Sequence, residues 1–112
     1  MNIPSYYEFC NKVKCLSGHN ALDKLPDILA SVNSKKPMII TDKGVMGAKL
    51  IPPVEKALGK IKHGGIFDDV PADSDVKTVQ EIAAKYKSSK CDSIIAVGGG
   101  SVLDTAKGVN IL

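Results

Sequence analysis

The run SIIAVGGGSVLDTAKG, residues 93–108, constrains this chain more than any other stretch. Ile94 to Val97 are apolar and, Ala96 apart, β-branched, which predicts a buried strand. Gly98, Gly99 and Gly100 then remove every β-carbon where that strand must turn. Ser101 is of a type favoured at a helix N-cap, and Val102 to Gly108 carry apolar residues at helical spacing. Strand, glycine turn and capped helix make an anion site, because backbone N–H groups and the positive helix end face a phosphate that no side chain holds off. The plainer alternative for the same residues is a tight turn. The dinucleotide fingerprint G-x-G-x-x-G is not met, since Leu103 stands where its last glycine would be, and no Gly-Lys-Ser/Thr follows as in a P-loop.

The rest of the chain alternates strand and helix signals. Tyr6 to Leu16 alternates weakly and predicts an edge strand or short hairpin, and Ser17 to Asn20 a turn. Leu22, Leu25, Ile28, Leu29 and Val32 follow helical spacing, with Pro26 requiring a kink or a start later than Ala21. Pro37 to Thr41 is a short buried strand closed by Asp42-Lys43-Gly44. Helix is expected over Val45 to Leu50, interrupted or restarted by Pro52-Pro53, and again from Val54 to Ile61. Gly64-Gly65 precedes a strand over Ile66 to Val70, the loop Pro71-Ala72-Asp73-Ser74 caps a helix over Asp75 to Ser88, and the opening motif follows. Such alternation implies an α/β fold, a mainly parallel sheet flanked by helices on both faces.

Composition excludes several function classes. Net charge is only +3, the lysines are interleaved with acids, and tryptophan is absent, so a nucleic-acid surface is not expected. No apolar run approaches the ~20 residues of a membrane span. MNIPSYYEF has neither a basic nor an apolar leader region, and Cys10, Cys15 and Cys91 match no zinc spacing, so reduced thiols and a cytoplasmic location are expected.

In α/β sheets ligands lie beyond the carboxyl ends of the strands. Asp42, the Pro71 to Ser74 loop and Gly98 to Ser101 all fall there. Asp42 either terminates its strand or accepts from the two hydroxyls of an adenosine ribose. Asp104 and Lys107, three residues apart, either form a surface pair or reach a ligand from the motif helix. His19 and His63 are expected in surface loops. Ser101 has no His–Asp partners that would make it a nucleophile, and no catalytic constellation is visible.

GGGSVLDTAKG resembles the Gly-Gly-Gly-Ser-x-x-Asp-x-Ala-Lys signature of the iron-containing (group III) alcohol dehydrogenases. Gly18 with the Ala21-Leu22-x-x-Leu25 helix start, Ile40-Thr41-Asp42-Lys43-Gly44 and Asp69-Val70-Pro71 agree in the same order, so the resemblance spans nearly the whole chain. It implies a dehydroquinate synthase-like, Rossmann-like N-terminal domain that binds NAD or NADP. Gly99, Gly100 and Ser101 would hold the pyrophosphate, Asp104 would lie near the nicotinamide with Lys107 as a further candidate, and Asp42 would meet the ribose and favour NAD.

Two departures from the family pattern stand out. Ala72 replaces the asparagine of the family's Pro-Asn-Pro-Thr loop. The family's threonine-rich loop and the helical domain whose aspartate and three histidines hold iron or zinc there would, by the resemblance, lie downstream of residue 112. The expectation is an incomplete dinucleotide-binding domain over residues 1–112, inactive alone, without catalytic or metal residues, and prone to homo-oligomerise through an exposed sheet edge. The complete enzyme would transfer hydride between a small alcohol or aldehyde and the cofactor. A stand-alone NAD-binding or partner-docking module is the alternative, and a glycerol dehydrogenase-like or dehydroquinate synthase-like relative a further one.

Overall fold

The computed structural model describes residues 17–18, 20–71 and 75–111. Three strands, β1 (Pro37–Ile40), β2 (Gly65–Phe67) and β3 (Ser93–Ala96), form a wholly parallel sheet in the order β2-β1-β3. All four residues of β1 are buried, as suits a central strand covered on both faces. Its side chains alternate between two cores. Met38 and Ile40 pack with Phe67, Ile82 and Val102, while Ile39 packs with Leu29, Ile51, Val54 and Leu58. The first core draws on α4 (Val76–Ser88) and α5 (Gly100–Ile111), and the second on α1 (Leu25–Ser31) and α3 (Ile51–Leu58). The parallel α/β arrangement expected from the alternation is the observed one.

Prolines set two helix starts. A 3-10 turn over Ala21–Lys24 precedes α1, which carries Pro26 in its first turn. Proline is tolerated there because the first N–H groups of a helix have no intrahelical acceptor. Pro52 and Pro53 start α3 in the same way, after a separate short α2 (Lys43–Gly47) that begins two residues ahead of the expected Val45.

Three boundaries differ from expectation. β2 ends at Phe67, short of Val70. Asp75, rather than the loop before it, caps α4, its Oδ1 accepting from the Thr78 N–H at 2.7 Å. Ser101 is not the cap of α5: Leu103 N–H donates to the Gly99 carbonyl at 3.1 Å, which marks Gly99 as the cap and puts Ser101 inside the helix. Glycine at the cap leaves backbone where a capping side chain would stand. The expected strand or hairpin over Tyr6 to Leu16, together with Cys10, Cys15, His19 and residues 72–74, lies outside the described residues. Among those described, β3 pairs with β1 alone and is only half-buried, and no helix is long and apolar enough to cross a membrane.

Candidate functional site

Parallel strands bring their carboxyl ends to one edge of the sheet. The chain leaves β1 for β2 on one side and returns to β3 on the other, and that reversal opens a crevice between the loops. A cleft of about 350 Å³ lies there. Asp42, Lys43 and Gly44 line it from the end of β1, Val70 and Pro71 from the segment after β2, and Gly99, Gly100, Ser101 and Val102 from the turn after β3.

Thr41 holds these three ends together. It is fully buried. Its N–H donates to the Phe67 carbonyl at 2.8 Å, its Oγ1 donates to the Val97 carbonyl at 2.7 Å, and its own carbonyl accepts from Val70 N–H at 3.4 Å. Nothing in the sequence alone assigns it a role. The available signal was a polar residue closing an apolar strand, which must find partners once buried.

The three motif glycines serve different ends. Gly98 has φ +154°, and a β-carbon there would stand 2.7 Å from Val102 Cγ2, so the helix can approach the turn only past a glycine. Gly99 and Gly100 have nothing within 4 Å of a β-carbon position. They border open cleft, where the N–H groups of the first turn of α5 point along the helix axis. Val102, Thr105, Ala106 and Val109 bury one face of this helix against the sheet, and Thr105 Oγ1 donates to the Ser101 carbonyl at 2.8 Å.

Asp42 caps α2, its Oδ1 accepting from Val45 N–H at 2.8 Å from an extended backbone. One carboxylate oxygen is thus committed to the fold, and the other has no partner among the described residues. Both roles weighed for this residue are compatible with that geometry. By sequence Lys43 is only part of the strand end. It is the one cationic residue among the described residues lining the cleft, and its Nζ lies 2.9 Å from Asp68 Oδ1. That hydrogen bond, with the charges of Asp68 and Asp69, holds the ammonium pKa above its ordinary 10.5.

The other candidates lie elsewhere. Asp104 opens on a groove between α4 and α5 with Asp75, Val79 and Gln80. Lys107 opens on another beside the outer edge of β3 with Val32, Ile94 and Leu103. No ion pair joins Asp104 to Lys107, whose side chains serve different faces. Four of the six expected contacts, Asp42, Gly99, Gly100 and Ser101, therefore share one cleft. His63 is half-buried rather than a free surface residue, because the chain before β2 packs it beside α3, with Nε2 3.1 Å from Glu55 Oε2. Among the described residues no cluster of His, Cys, Asp and Glu could hold a metal ion, so these residues do not fit iron or zinc.

A three-stranded parallel sheet, with a glycine turn and a helix start set across a cleft from an acidic strand end, defines a Rossmann-like α/β domain. The family model described as iron-containing alcohol dehydrogenase matches residues 12–112. The chain belongs to that family. A 4-hydroxybutyrate dehydrogenase from Cupriavidus necator is 36% identical over 81 residues, 72% of this chain and 21% of that protein. In fold, the NADH-dependent butanol dehydrogenase A of Thermotoga maritima matches with a TM-score of 0.81 at 24% identity, over 93% of this chain and 27% of that one. Sulfoacetaldehyde reductase from Bifidobacterium kashiwanohense, solved in complex with NAD+, matches with a TM-score of 0.82 at 20% identity, over 95% and 28%. The chain thus spans between a fifth and a third of the length of these relatives.

Proposed function

We propose that residues 1–112 form the N-terminal dinucleotide-binding part of a metal-dependent alcohol dehydrogenase, and that this part binds the nicotinamide cofactor without itself carrying out hydride transfer. One observation carries the reading. Asp42 after β1 and Gly99, Gly100 and Ser101 after β3 line the same cleft, at the carboxyl ends of parallel strands and at the start of a twelve-residue helix. The helix start and the bare glycine backbone suit the cofactor's pyrophosphate. The uncommitted oxygen of Asp42 suits the adenosine ribose hydroxyls, and its charge opposes a 2′-phosphate, so NAD is the expected cofactor. Asp104 and Lys107 stand further along α5 and would meet only those parts of the dinucleotide that extend beyond this cleft.

Family membership and the NAD+-bound fold relative support the same cofactor class. In the complete enzyme the partner substrate would be a small alcohol or aldehyde. Calorimetric titration of the chain with NAD and with ADP-ribose tests the proposal. Saturable binding with a micromolar Kd for ADP-ribose is expected, and no heat for either ligand at millimolar concentration would overturn it.

A further inference from the structure

Lys43 lines the cleft, and its ammonium is engaged by a residue that does not. Lys43 Nζ is bonded to Asp68 Oδ1 at 2.9 Å, with side-chain exposures of 69% and 33%. Asp69 follows Asp68, and Asp42 precedes Lys43. One lysine thus serves two neighbouring strand ends, with Asp42 after β1 and Asp68 and Asp69 after β2. A dianionic 2′-phosphate placed beside Asp42 would need that lysine, because no other cationic side chain among the described residues lines the cleft.

We propose that Asp68 is a cofactor-specificity residue: by engaging Lys43 across the β1–β2 gap it withholds the cation that a 2′-phosphate requires, and the cleft then accepts a ribose with free hydroxyls. This rests on the reading that Asp42 meets the adenosine ribose. Asp42 and Asp68 act by different routes. Asp42 contacts the hydroxyls and repels the phosphate directly, whereas Asp68 touches no ligand and acts through Lys43. Loss of Asp68 therefore alters affinity for the phosphorylated ribose alone. A pair that merely ties the end of β1 to that of β2 would change both ligands alike.

The test is calorimetric titration of the chain with ADP-ribose and with its 2′-phosphate, comparing wild type, Asp68→Asn and the double variant Asp68→Asn/Lys43→Met. Asp68→Asn is expected to tighten the 2′-phosphate about two- to fivefold, the scale of a partly exposed ion pair, with ADP-ribose unchanged. The double variant is expected to lose that gain. Equal changes for both ligands, no gain for the 2′-phosphate, or a gain that survives the loss of Lys43 would overturn the proposal. If wild type binds neither ligand, the cofactor reading itself fails and this inference falls with it.

Discussion

At the scale of the residue, single carboxylates do most of the local work. Asp92 sits at the amino ends of the strands, opposite the cleft. Its Oδ2 accepts from Lys35 N–H at 2.7 Å and its Oδ1 from Lys36 N–H at 3.0 Å, with Ser34 Oγ and Ser93 Oγ also donating. The Lys35 and then the Lys36 amide contribute most to holding its pKa below the ordinary 3.8. A carboxylate depressed by folding stabilises in full above its unfolded value and loses that contribution as pH falls through its folded one. Urea unfolding should therefore show wild type more stable than Asp92→Asn near neutral pH, with the gap closing below about pH 4. A gap that is constant down to about pH 2 would show that the charge contributes nothing. Little of this is legible in the sequence: Asp92 stands beside ordinary loop residues, and its two amide donors come from a segment more than fifty positions away.

At the scale of the element, the glycine turn sets a sterically constrained glycine, Gly98, beside two that border open cleft. Gly98 has a positive φ and no room beside Val102, so Gly98→Ala should cost about 1–3 kcal/mol in chemical denaturation. Gly99 has neither constraint. Gly99→Ala should lower stability by about 0.5–1 kcal/mol, as alanine does at an N-cap, which is less than Gly98→Ala, while weakening ADP-ribose about tenfold, the equivalent of one lost charge-assisted hydrogen bond. The opposite pattern, with Gly99→Ala unfolding early and binding normally, would make the run a structural turn. The strand–glycine–helix order was legible because apolar runs and glycines act locally. The helix begins two residues before the position that the local preference of Ser101 favours, with Val102 packed against Gly98 of the turn, a contact the sequence alone does not display.

At the scale of the molecule, the strand order β2-β1-β3 makes a site from pieces far apart in sequence. Asp42 and Gly99 are 57 positions apart in the chain and border one cleft because β1 and β3 pair in register, Ile40 opposite Ala96. Sequence spacing suggested that convergence through the rule for carboxyl strand ends. It did not separate the faces of α5, so Asp104 and Lys107 were grouped with residues whose cleft they do not line. Thr41 and Lys43 are not distinguished by sequence because their partners come from other strands and loops. We propose that this cleft, rather than the groove between α4 and α5, receives the nucleotide. Amide NMR of the 15N-labelled chain titrated with ADP-ribose tests it most directly. Saturable shifts at Gly44, Val45, Gly99, Gly100 and Ser101 are predicted, and shifts confined to Asp75, Gln80 and Gly108 would contradict it.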